Sequence, residues 1–181
     1  KRSKFNNIGL SVSTSYLLLT LILKWVSFQK FEEGLQNQQI EYVEMDTKPS
    51  PLNAILWSSL IETDKGFRTA YYSIFDKQDV TYSKEFLKNH HLLEPYLEQK
   101  VIKQLIDISA GWYRIEEKNG KLLFWDLRFG QMGMDVNTAS FLWYYELNID
   151  SNGRVSAKKT QPKITNFKKL FLSLFSRIKG N

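Results

Sequence analysis

Hydrophobic and polar positions along this 181-residue chain change period several times, and each change predicts an element. Ile8 to Val26 (IGLSVSTSYLLLTLILKWV) carries one charge, Lys24, and is long enough to cross a hydrocarbon layer of about 30 Å as a helix. Lys24 and Trp25 suit the interface, the lysine reaching outward along its aliphatic stem. Ser11, Ser13, Thr14 and Ser15 favour packing against other membrane helices over lone exposure to lipid. Phe28, Phe31 and Leu35 carry the helix on to Gly34 or just beyond. The alternative is a buried core helix of a soluble protein. No small-x-small cleavage site follows, so the stretch does not read as a removed signal peptide.

Period two then takes over. Residues 40–46 (IEYVEMD) alternate and predict a strand. From Pro49 to Asp76, two spaced prolines set an extended entry to the apolar run Ala54–Trp57, with Leu60 and Ile61 beyond. The turn Asp64-Lys65-Gly66 leads to a second β-rich run, Phe67 to Phe75, so this stretch reads as a hairpin whose first strand lies inside a sheet. Between Gln78 and Gly111 the spacing becomes helical. Ser83 is placed to cap a short helix with Phe86 and Leu87 inward, and Pro95 suits the first turn of another. Leu97, Val101, Leu105 and Ile108 share one face of that helix, which Gly111 closes.

Strand signals return at Trp112–Glu117 and Lys121–Phe129, flanking Asn119-Gly120, a strong hairpin signal. Phe141–Ile149 and Arg154–Lys159 flank a turn at 150–153, with Phe141, Trp143, Tyr145, Leu147 and Ile149 as an aromatic stripe suited to a core. Residues 163–181 form a basic amphipathic helix, Ile164, Phe167, Phe171, Leu174 and Ile178 on one face. Either it lies on lipid headgroups, through Lys168, Lys169, Arg177 and Lys179, or it docks on the sheet. The expected fold is α+β: an antiparallel sheet of five to seven strands with a helical insert packed on one face. The divisions are a membrane helix and its extension (1–36), an extramembrane domain (37–162) and the amphipathic helix (163–181).

Composition sharpens this picture. Hydrophobic residues make up 43% and aromatics 14%, which excludes a disordered chain. There is no cysteine, hence no disulfide, thiol nucleophile or zinc-thiolate site. The net charge of +6 is uneven: residues 151–181 hold eight basic side chains and no acid, while residues 5–150 sum to −5. Basic ends beside an apolar segment suit a lipid headgroup layer better than nucleic acid. Lys1, Arg2 and Lys4 nearly balance Lys24 and Lys30, so the side of the membrane stays open. The chain opens on Lys1, so an upstream segment is expected.

Candidate chemistry is sparse. The two histidines, His90 and His91, are adjacent and cannot face one another on a helix, so loop or capping roles are expected and no metal site. There is no H-E-x-x-H pair, G-x-S-x-G elbow or phosphate-binding glycine loop. Asp126 and Arg128 project from one strand face, either as a structural ion pair or as a recognition pair gripping an anionic group. Glu62 would need an approaching partner to act as a base, and Asp64 belongs to a turn.

Three blocks recur in order: Pro49, Pro51, Leu52, Asn53, Leu56 and Trp57; then Tyr71, Tyr72, Ser73 and Asp76; then Asp126 to Gly130. Together they resemble the C-terminal part of the bacterial membrane-bound metal-dependent hydrolases, the YdjM-like inner-membrane proteins. The resemblance implies a multi-span protein of the bacterial inner (cytoplasmic) membrane whose last helix leads into this domain. Its partners would be the bilayer and upstream membrane helices. A divalent metal would be held by histidines and an aspartate in the N-terminal membrane part, and none of those ligands carries over. This chain would then cover or shape a site, with Asn53, Trp57, Asp126 and Arg128 the residues to test. The rival reading is a non-enzymatic, membrane-tethered domain that binds a partner or lipid; a third is a soluble ligand-binding domain.

Overall fold

The computed structural model describes residues 2–51, 53–138, 140–162 and 166–180. Helix α1, Arg2–Asn37, is unbroken, and its halves meet different surroundings. Residues 4–19 are exposed throughout, whereas Leu23, Ser27, Phe31, Gly34 and Leu35 turn one face onto the domain. Among the described residues this is one helix long and apolar enough to cross a membrane, with a mean hydropathy of 1.4 over its apolar window. Gly34 is needed at the contact: a Cβ there would sit 2.8 Å from the Val80 carbonyl oxygen.

The domain holds two four-stranded antiparallel sheets rather than a single larger one. The first is β1 (Glu44–Pro49), β2 (Leu56–Glu62), β3 (Gly66–Ser73) and β4 (Phe86–Leu87); the second is β5 (Tyr113–Lys118), β6 (Lys121–Gln131), β7 (Phe141–Ile149) and β8 (Val155–Thr160). Each sheet has two apolar faces, which is why they stack. In the first, Trp57, Ile61, Ala70 and Tyr72 pack on Phe31 and Leu35 of α1. Leu60 and Phe67 face the other way and meet Trp112, Trp125, Leu127 and Phe141 of the second sheet and its approach. The far face of the second sheet carries Tyr113, Ile115, Phe124 and Leu147, covered by Leu93 and by Ile102 and Leu105 of α2 (Lys100–Ser109). The layers run helix, sheet, sheet, helix, an α+β architecture with the insert on one face.

The first hairpin pairs Leu56 with Ser73 through to Glu62 with Phe67, and the second turns at Asn119 and Gly120, both at positive φ. Three expectations change. Ser83 caps no helix; its hydroxyl accepts from the Thr69 amide at 3.0 Å, and Phe86–Leu87 extend the first sheet as β4. That pairing depends on Gly66, where a Cβ would lie 2.1 Å from the Phe86 carbonyl oxygen. Gly66→Ala is therefore expected to push β4 off the sheet and cost about 1–3 kcal/mol, read as a lower denaturant midpoint. Second, α2 turns Ile102 and Leu105 inward and leaves Ile108 54% exposed, because Leu97 caps the 3₁₀ turn before the helix and does not set its phase. That turn, His90–Tyr96, holds Pro95 within it, and α2 ends on Ala110 (φ 50°) followed by Gly111 (φ 84°), both at positive φ. Third, the β7 stripe splits. Five positions of β6 advance against two of β7 between Asp126 and Gln131, so Phe141 enters the inter-sheet core while Leu147 packs under α2.

Burial of phenols gives the fold an alkaline limit. Tyr71 is pushed up to about 12 by burial, and Tyr82 is also raised well above its ordinary value near 10 by burial. A raised folded value means the unfolded chain releases its proton first. Stability from Tyr71 is complete below pH 10 and falls as pH rises toward 12, by about 1.4 kcal/mol per pH unit per phenol. Tyr71→Phe is expected to flatten that part of the curve, measured by denaturant titrations across the alkaline range.

Candidate functional site

The four residues singled out above are distributed over two places. Asn53 sits in the loop before β2. Its Oδ1 accepts from the amides of Ile55 (3.0 Å) and Leu56 (2.7 Å), and its Nδ2 donates to the Ser50 and Pro51 carbonyls. This Asx turn starts β2 in register. Trp57, 3% exposed, lies in the core under α1, and its indole N–H donates to the Ala54 carbonyl at 3.0 Å. Both side chains are committed to the chain's own turn.

Asp126 and Arg128 lie together on β6. Arg128 Nε donates to Asp126 Oδ1 at 3.0 Å and Nη2 to Oδ2 at 2.7 Å, a two-pronged pair; the Arg128 amide adds a bond to Oδ1 at 3.2 Å. The carboxylate is buried and the guanidinium half-buried, 5.4 Å from the Phe129 ring centre. The hydrogen bond to Asp126 raises Arg128 above its ordinary value. Lys48 Nζ donates to the Arg128 carbonyl at 3.0 Å and links this edge to β1. The adjoining inter-sheet cavity, lined by Lys48, Tyr71, Arg128 and Gln131, has a volume of about 30 Å³, room for a water rather than a substrate.

Both histidines open the 3₁₀ turn, and His90 Nδ1 is hydrogen-bonded to the Tyr113 hydroxyl. Among the described residues no group of three or more His, Asp or Glu side chains could hold a metal ion. Wider surface grooves include one of about 530 Å³ beside Lys65, Arg68 and Glu85 and one of about 410 Å³ beside Lys121, Trp125 and Tyr144. The first also holds the Thr63 hydroxyl, which donates to Glu85 Oε1 at 2.6 Å, and the second holds Ser140 and Glu146, whose Oε2 accepts from Lys121 Nζ at 3.2 Å.

A second tightly built ionic centre escaped sequence reasoning. Helix α3, Phe167–Ile178, sends Arg177 to Asp76 in the turn after β3: Nη1 to Oδ1 is 2.6 Å and Nη2 to Oδ2 is 2.7 Å, and Nη2 also reaches the Tyr71 carbonyl at 2.8 Å. Asp76 also accepts from the Ser73 amide at 2.8 Å, and the Ser73 hydroxyl donates to the Ile178 carbonyl at 2.6 Å. Arg177 thus departs from its three companions. Lys168, Lys169 and Lys179 are exposed, while Arg177 bolts the helix to the sandwich. The partners are 101 positions apart, and the only local hint is that Arg177 shares a helix side with Leu174 and Ile178. Ile164 lies outside the described residues.

No family model, no curated protein and no solved structure matches this chain.

Proposed function

We propose that this chain is the water-exposed domain of a membrane-anchored protein, held at the bilayer by α1 and working by docking rather than by chemistry of its own. The observation that carries this reading is the division of α1. Its first part is exposed and apolar from Phe5 through Ile22, and the same helix then becomes part of the domain's core at Phe31 and Leu35. Residues 4–22 rise about 28 Å, close to the thickness of a hydrocarbon layer. Exposed on such a surface in water, Leu17, Leu18, Leu19, Leu21 and Ile22 would drive aggregation.

The resemblance supports a finer version: the C-terminal domain of a bacterial inner-membrane, metal-dependent hydrolase, covering a site whose ligands lie in another part of that protein. Ser11, Ser13, Thr14 and Ser15, exposed on α1, favour this version because they suit contact with neighbouring membrane helices. The binding-only version needs no such neighbours.

Flotation of the full chain with liposomes tests the shared claim. The parent is expected to float and to need detergent for extraction. Val12→Arg, placed mid-span at about 3 kcal/mol of insertion cost, is expected to leave a larger share in the soluble fraction. A parent chain that stays dispersed and monomeric without detergent overturns the reading.

A further inference from the structure

Helix α3 meets the sandwich along one side only. Leu170, Leu174, Arg177 and Ile178 are half-buried, while Phe167, Phe171 and Phe175, spaced at i, i+4 and i+8, are 66, 46 and 48% exposed. The Phe171 and Phe175 rings touch each other, 5.0 Å between centres. A helix free to roll would turn these rings inward. The bonds of Arg177 to Asp76 and of Ser73 to the Ile178 carbonyl prevent it. So does Gly180, packed so closely that a Cβ would stand 2.5 Å from the Phe75 carbonyl oxygen. Phe75, whose carbonyl Gly180 meets, is itself 57% exposed. Around the patch stand Lys168, Lys169 and Lys179, and no acid occurs in the chain after Asp150.

We infer that α3 and Phe75 form a second bilayer contact, an interfacial patch for anionic lipid headgroups that sets which side of the domain faces the membrane. This rests on the tether reading of α1. Aromatic rings beside lysines match the boundary between acyl chains and acidic headgroups. Position supports it as well. No linker separates the apolar half of α1 from the domain, since Leu23 already packs on the core and Lys24 follows it directly. Phe31 lies about 10 Å further along the helix. Its ring meets Tyr72 edge-on, 6.3 Å between centres, and Tyr72 is flanked on β3 by Tyr71 and Ser73, which hold the end of α3. The patch is therefore anchored next to the point where the tether enters the domain.

The test uses the full chain reconstituted in phosphatidylcholine vesicles with and without phosphatidylglycerol. The chain has no cysteine, so single cysteines introduced as Phe171→Cys, Asn152→Cys and Leu17→Cys can each carry a bimane fluorophore. Nitroxide-labelled acyl chains quench from within the bilayer and iodide quenches from water. On phosphatidylglycerol vesicles the label at 171 is expected to be quenched by the nitroxide lipid nearly as strongly as that at 17, with iodide quenching reduced several-fold; the label at 152, in the β7–β8 turn, behaves oppositely. Lys168→Glu with Lys169→Glu is expected to remove at least half of the lipid quenching at 171. Leu172→Cys repeats the measurement if Phe171→Cys does not fold. With 17 quenched by lipid, free iodide access at 171 on both vesicle types overturns the inference. So does shielding at 171 from both quenchers, which would mean that protein covers the patch. Failure of lipid quenching at 17 overturns the tether reading, and this inference with it.

Discussion

Phe31→Ala is expected to destabilise the domain by about 3–5 kcal/mol, the cost of removing a fully buried phenylalanine whose cavity cannot collapse. The ring is 0% exposed and sits edge-on between Tyr72 and Tyr82, at 6.3 and 6.4 Å. Stiff strand backbone lies beneath it and a helix already at van der Waals contact through Gly34 lies above, so neither side can close the gap. Thermal unfolding in detergent, followed by near-ultraviolet circular dichroism, measures the loss. Leu17→Ala, 58% exposed on the same helix, is the control and is expected to leave the midpoint unchanged. Equal effects at the two positions would mean that the outer half of α1 packs on protein as well.

Arg128→Ala is expected to cost about 3–5 kcal/mol, because it strands a buried carboxylate without its counter-charge. Asp126→Ala is expected to cost less. The guanidinium it releases is 29% exposed and can swing into water, whereas the aspartate, at 3%, cannot. The order of the two losses distinguishes the pair's roles. A structural pair gives this asymmetry, and Asp126→Leu combined with Arg128→Leu recovers much of the stability lost by Arg128→Ala. A recognition pair would leave stability nearly unchanged in Arg128→Ala. Denaturant titration of the three variants reads the answer.

Local chemistry wrote much of the fold into the sequence. Asn119-Gly120 gave its hairpin because both residues tolerate positive φ, and the apolar run Leu56–Trp57 marked a strand buried on both sides. That double burial also held the clue to two stacked sheets, since Leu56 and Trp57 point to opposite faces and both are covered. One sheet with one helical cover would have left Leu60 and Phe67 without a partner layer. β4 was illegible because a two-residue strand has no period; it exists because Gly66 lets its backbone close in. The Asp76–Arg177 bond was hidden by chain separation alone. Asn53 and Trp57 came from a resemblance of motifs, and a motif can recur because a turn needs it as readily as because a ligand does.

Because α1 passes from its apolar half into the core with no break, the head has no swivel. Val80 wedged against Gly34 and Phe31 keyed between two tyrosines make the joint a spline. Any rotation of the helix about its long axis must crank the whole sandwich through the same angle. A tilt of the helix by a few degrees therefore displaces the sandwich as one body.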